Sequence, residues 1–149
     1  MTNPFHPPQR LLLGPGPSNV EARILQAMLK PILGYLDPVY LGCLDAIQKL
    51  LRSVFETGNR VTFSMSGTGG AGMEAVLANL IEDGDEVLVC VNGFFGQRAA
   101  ELAERWGGKV IRADADWGQP LDMQKVRDAF RSSNARIVVM IHAETSTGM

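Results

Sequence analysis

Ser66-Gly67-Thr68-Gly69-Gly70-Ala71-Gly72-Met73-Glu74-Ala75 joins two segments of different period. Before it, residues 61–65 form a short β-branched and aromatic run with strand character. After it, residues 70–81 read as a helix opened by glycine. A glycine-rich turn feeding a helix lets the backbone come close to an anion. Successive N–H groups converge there, the helix N-terminus adds partial positive charge, and the Ser66 and Thr68 hydroxyls donate further hydrogen bonds. The stretch reads as a phosphate site, with a tight turn needing small residues for helix-sheet packing as the plainer alternative.

Gly67, Gly69 and Gly72 also satisfy G-x-G-x-x-G, so a dinucleotide site has to be weighed. Such a site wants a carboxylate at the end of the second strand for the ribose, whereas that strand ends here in Val91-Asn92. The turn also follows some sixty residues of other sequence, where a dinucleotide fingerprint opens its domain. No Gly-Lys-Ser/Thr follows, which excludes a nucleotide P-loop.

Downstream, the polar turn Glu82-Asp83-Gly84-Asp85 precedes a strand over 86–91, a helix over 95–106 and a strand over 109–113. A loop through Trp117-Gly118-Gln119-Pro120 then leads to a helix over 122–131 and a strand over 136–142. Four strands alternating with three helices imply an α/β fold with a right-handed, mostly parallel sheet, and the valine- and isoleucine-rich strands suit a sheet covered on both faces. Upstream, five of the eight prolines fall in residues 1–17, which are expected to form an extended arm. Ser18 or Asn19 caps a helix over 20–29 ended by Pro31 and Gly34. Asp37 caps a second helix, with Pro38 at its first position, that carries Leu41, Leu44, Ile47, Leu51, Val54 and Phe55 at helical spacing until Gly58. The expected domains are the arm, 1–17, and one α/β domain, 18–149.

Composition narrows the function classes. The 149 residues are 46% hydrophobic and 20% charged, an ordinary globular balance. Fourteen basic against sixteen acidic residues leave a net charge of -2, which offers no basic field for nucleic acid or an anionic membrane surface. Cys43 and Cys90 lie far apart in apolar stretches, so neither a disulfide scaffold nor a clustered metal site is expected, and both read as small core residues. The longest apolar runs, such as 87–91 and 137–141, fall far short of the roughly twenty residues that span a bilayer. The opening ten residues lack the pattern of a secretory signal, so a cytoplasmic address is expected, or a peroxisomal one for a eukaryotic source.

Several segments in order resemble one family, the class V, fold-type I aminotransferases that use pyridoxal phosphate, in their alanine-glyoxylate, serine-glyoxylate and serine-pyruvate branch. They are Leu11-Leu12-Leu13-Gly14-Pro15-Gly16-Pro17-Ser18-Asn19, Gly34-Tyr35-Leu36-Asp37-Pro38, Phe55-Glu56-Thr57-Gly58-Asn59, Ser66-Gly67-Thr68-Gly69, Asn92-Gly93-Phe94-Phe95-Gly96-Gln97-Arg98 and His142-Ala143-Glu144-Thr145-Ser146-Thr147-Gly148. The resemblance covers essentially the whole chain. It implies an arm and helices followed by part of the family's large-domain sheet, truncated at the C-terminal side, in an enzyme moving the amino group of alanine or serine to glyoxylate or pyruvate. It assigns Thr68, Gly69 and Gly70 to the cofactor phosphate, Phe95 to stacking on the pyridine ring and Thr145 to a place beside the ring. Several relatives carry histidine where Gly70 stands, so here that contact is a backbone one. Pro15 and Gly16 match a loop at the substrate mouth, with a rigid spacer as the other reading. His142 and Glu144 share the strand end of Thr145, and an imidazole there either touches the ring or is a satisfied core histidine.

Transamination also needs a lysine to form a Schiff base and move a proton, and an acidic residue at the pyridine nitrogen. The family carries both downstream of Thr-Ser-Thr-Gly. Lys30, Lys49, Lys109 and Lys125 are the chain's lysines, and none occupies a suitable position, so no catalytic residue is assigned. The 149 residues are therefore expected to be an N-terminal portion that lacks turnover alone and belongs to a homodimer whose arm crosses to the partner. Other class V enzymes, of cysteine desulfurase or phosphoserine aminotransferase type, fit the Gly-Pro-Gly-Pro and Thr-Ser-Thr-Gly segments less well. A nicotinamide-dependent dehydrogenase and a noncatalytic phosphate-binding module are the alternatives from other classes.

Overall fold

The computed structural model describes residues 5–149, which divide between Phe63 and Ser64 into two compact units. In the first unit residues 5–17 of the arm run without regular structure, and the Asn19 side chain ties them back. Asn19 accepts from the Leu12 N–H through Oδ1 at 2.8 Å and donates from Nδ2 to the Arg10 carbonyl at 2.9 Å. That use of Asn19 corrects the expected cap: helix α1 is Ala22–Met28, and its N-cap is Glu21, whose side chain makes no capping bond.

Helix α2, Pro38–Val54, begins as expected, with Asp37 Oδ1 accepting from Val39 N–H at 2.8 Å and proline at the first turn. It stops earlier than Gly58. Glu56 takes a positive φ of 48°, and Arg52 turns forward to donate to the carbonyls of Asn59 at 2.8 Å and Arg60 at 2.6 Å. None of the α2 residues is fully buried. Cys43, expected in a core, is exposed on this helix.

The second unit is α3 (Gly69–Leu80), β1 (Glu86–Val91), α4 (Phe94–Arg105), β2 (Lys109–Asp114), α5 (Met123–Arg131) and β3 (Ile137–Val139). Three parallel strands in the order β2-β1-β3 form the sheet, with Val87 opposite Val110 on one side and Ile137 on the other. The expected fourth strand, 61–65, is absent. A strand exists only through ladder bonds to a neighbour, and this segment pairs with none among the described residues, leaving Val61 and Phe63 exposed. The 136–142 strand shrinks to the three residues Ile137–Val139, which are the ones that pair with Val87–Val89 of β1.

Strand β1 alternates between two cores. Val87, Val89 and Val91 pack with Leu77 and Ile81 and with Ala99, Ala100, Leu102 and Ala103 of α4, while Leu88 and Cys90 meet Ala113, Val126 and Ala135 on the α5 side. Burial pushes the Cys90 thiol pKa up. Small residues bring α4 close to β1. A Cβ at Gly96 would lie 2.9 Å from the Cys90 carbonyl oxygen and 3.0 Å from the Val91 Cα, both backbone atoms that cannot swing aside. At the far end, Asp122 Oδ1 caps α5 by accepting from Gln124 N–H at 2.8 Å and Lys125 N–H at 3.3 Å.

Gly96→Ala should therefore displace α4 from β1 and cost about 1–3 kcal/mol. Asp122→Ala should cost only about 1 kcal/mol, the usual loss of a cap. Urea unfolding midpoints of the two variants give the order, and a harmless Gly96→Ala would show that α4 does not need its close approach.

Candidate functional site

The glycine turn forms the N-terminus of α3. Thr68 is its N-cap, with Oγ1 accepting from Ala71 N–H at 3.3 Å and its carbonyl accepting from Gly72 N–H at 3.1 Å. The amides of Gly69 and Gly70 precede the first intrahelical bonds and have no protein acceptor among the described residues. Gly67 holds φ at +158°, and a Cβ there would lie 2.9 Å from the Ala71 Cβ, so the turn stays narrow only with glycine. A Cβ at Gly69 would meet nothing within 4 Å, so the outer side of the turn is open. No acidic residue occupies the first turn of the helix. An anion is the ligand that such a turn favours.

A second cluster forms where the carboxyl ends of the strands meet. Because β1 and β3 are parallel neighbours, the Asn92–Gly96 segment and the His142–Gly148 loop emerge side by side. Glu144 joins them. It is only 1% exposed, and its Oε2 accepts from the N–H groups of Phe95 and Gly96, each at 3.0 Å, at the start of α4. Oε1 accepts from the Ser146 hydroxyl at 2.5 Å and the Ser146 N–H at 3.3 Å, while Ser146 Oγ accepts from Phe94 N–H at 2.9 Å. Gly93 makes the junction possible, since a Cβ there would overlap Cγ and Cδ of Glu144. The loop after β2 joins the same end, with Gly118 N–H donating to the Asn92 carbonyl and Asn92 Nδ2 donating to the Gln119 carbonyl, both at 3.2 Å.

The Glu144 carboxylate thus ties the Phe95 backbone to the loop that carries Thr145. Phe95 is half-buried and meets Phe94 edge to face, with ring centroids 5.3 Å apart, and Thr145 is exposed. Thr68, Gly69 and Gly70 lie in the same unit without a recorded contact to either. Pro15 and Gly16 are exposed in the arm of the first unit. His142 is exposed, which overturns the core reading of that histidine. All four lysines are exposed. Lys109 begins β2, at the end of the strand away from the cluster, Lys125 lies on α5, and Lys30 and Lys49 belong to the first unit. Sequence reasoning placed Glu144 at the strand end without a role and passed over Ser146 and Gly93. Their contacts span 48 to 52 residues and carry no local signature.

No family model matches the chain. Its homologues and structural neighbours are class V aminotransferases of the pyridoxal-phosphate transferase fold, whose N-terminal portion it resembles. The chain is 38% identical over 149 residues to the alanine-glyoxylate aminotransferase of Drosophila melanogaster, all of this chain and 38% of that one. It is 39% identical over 141 residues to the (S)-ureidoglycine-glyoxylate transaminase of Bacillus subtilis, 95% of this chain and 34% of that one. The crystal structure of alanine-glyoxylate aminotransferase from Nostoc sp. superposes with a TM-score of 0.90 at 45% identity, covering 99% of this chain and 39% of that one. The chain spans well under half the length of these relatives.

Burial alone would raise the Glu144 carboxyl pKa, but the hydrogen bonds from Ser146, Gly96 and Phe95 outweigh it and hold the group below its ordinary value. A folded-state pKa below the unfolded one, near 4.3, stabilises the fold at pH values above about 4.3. That stability is lost as pH falls through the depressed folded value. Glu144→Gln should flatten the acid limb of a plot of unfolding free energy against pH, and an unchanged acid limb would remove the carboxylate from the linkage.

Proposed function

We propose that the chain is the cofactor-phosphate and ring-wall portion of an aminotransferase that moves the amino group of a small amino acid to glyoxylate or pyruvate with pyridoxal phosphate. The observation that carries the reading is the α3 N-terminus, where an exposed threonine and two amides with no protein acceptor among the described residues begin a helix in a chain whose relatives are aminotransferases. The turn fits a phosphate dianion: it is narrow at Gly67, unobstructed at Gly69 and free of acidic side chains in the first turn.

Pyridoxal phosphate, when bound, supplies an electron sink for bonds broken at the Cα of an amino acid. Thr68 Oγ1 and the N–H groups of Gly69 and Gly70 hold the phosphate in this reading. The Phe95 ring covers one face and excludes water from it, and the Thr145 hydroxyl lies at the edge. Pro15 and Gly16, in the arm of residues 1–17, offer backbone groups to the amino acid, while residues 18–149 contribute to the large domain. The lysine and the acidic partner of the ring nitrogen come from residues outside these 149. A cytoplasmic homodimer completes the proposal, and the exposed Leu41, Ile47, Leu50, Val54 and Phe55 of the first unit support apolar contact with another surface.

Glyoxylate is common to the names of both relatives and their donors differ, so alanine, serine and (S)-ureidoglycine are the donors to compare. Protein expressed from the complete gene should take up pyridoxal phosphate and turn over one of these donors with glyoxylate or pyruvate. Thr68→Ala should weaken cofactor binding by roughly 10- to 100-fold, the loss of a hydrogen bond to a charged group worth about 1.5–3 kcal/mol, and Thr68→Ser should restore most of it. Wild-type protein with neither uptake nor turnover would sink the proposal.

A further inference from the structure

The proposed cofactor contacts at Phe95 and Thr145 stand on separate segments, 50 positions apart in the numbering, and each is short of anchors of its own. Thr145 is exposed, and Phe95 lies in the first turn of α4, where N–H groups have no helical acceptor. The N-cap of α4 is Gly93, which has no side chain to supply one. Glu144 takes that place from the other loop. One carboxylate accepts two bonds from the α4 N-terminus and two from Ser146, which in turn holds Phe94 N–H.

We infer that Glu144, with Ser146 as its relay, is the positioning residue of this site: its buried carboxylate fixes the distance between the ring-covering Phe95 and the ring-edge Thr145. The inference rests on the functional reading above and adds to it a residue that touches neither cofactor nor substrate. Ionised glutamate suits the role because four donors converge on two oxygens. Glutamine keeps one oxygen for Phe95 and Gly96 and turns an NH2 toward Ser146, whose N–H then loses its acceptor. Alanine leaves the α4 amides without a partner, and aspartate is one methylene too short to reach both loops.

The phosphate turn at Thr68 has no part in this junction, so the two contributions separate experimentally. In protein expressed from the complete gene and loaded with pyridoxal phosphate, Glu144→Gln should lower kcat by roughly tenfold or more, the scale of loss that follows a misplaced wall. The dissociation constant for pyridoxal phosphate should change little. The visible circular dichroism of the bound cofactor, which reports the asymmetry of its surroundings, should change with kcat. Ser146→Ala, a milder removal of one donor to Glu144 and the acceptor of Phe94 N–H, should move the same two readouts in the same direction and serves if Glu144→Gln fails to fold. A drop in thermal stability with unchanged visible dichroism and unchanged kcat in the folded variant would overturn the inference by making Glu144 merely structural. Wild-type protein that takes up no pyridoxal phosphate would instead overturn the functional reading, and this inference with it.

Discussion

Strand β1 is hydrogen-bonded on both edges and buried on both faces, and the second unit is arranged around that constraint. A strand in this position must be apolar at every residue, as Val87-Leu88-Val89-Cys90-Val91 is, and the chain must leave it through a polar turn at its carboxyl end. Asn92 and Gly93 form that turn. Because the neighbours on both sides run parallel, their outgoing loops gather at the same place, so polar groups from three loops converge there, side chains from those after β1 and β3 and backbone from that after β2. The site's location thus follows from the burial of one strand.

What the sequence disclosed and what it hid divide along contact range. The glycine turn, the Asp37-Pro38 start of α2 and the Asp122 start of α5 each lie within a few residues, and each formed where the local pattern placed it. Strand 61–65 and the far end of 136–142 depended on partners that no local pattern can supply, and neither formed as expected. Asn19 shows the same limit at short range. Its amide suited a helix cap, but the Leu12 N–H and Arg10 carbonyl of the arm took both of its polar groups.

The two edges of the sheet differ in kind. β2 carries Lys109, Arg112 and Asp114, and Arg112 grips both Asp114 oxygens at 2.8 to 3.2 Å while reaching Gln97 at 2.9 Å. Charged side chains of this sort discourage pairing with a further strand. On the other edge, Ile137, Val138, Val139, Met140 and Ile141 line an open apolar groove of about 290 Å³ with Met73 and Leu80 of α3. β2 therefore has the marks of a finished edge, and β3 does not.

Glu144 and the Thr68 turn meet the same physical problem by different means. Both satisfy the orphan amides of a helix N-terminus. At α3 a local hydroxyl takes one amide and leaves those of Gly69 and Gly70 without an acceptor among the described residues, which suits a ligand that brings its own negative charge. At α4 a carboxylate from the other side of the sheet end takes the amides of Phe95 and Gly96, and Ser146 takes that of Phe94. The first helix end is left open to an anion, and the second is closed by one. An aromatic side chain at a closed helix end is held by its own backbone, which is the basis for proposing a fixed wall at α4 and an anion site at the open end of α3. That division requires a buried carboxylate, and the carboxylate in turn requires a glycine at position 93, where any side chain would occupy its space.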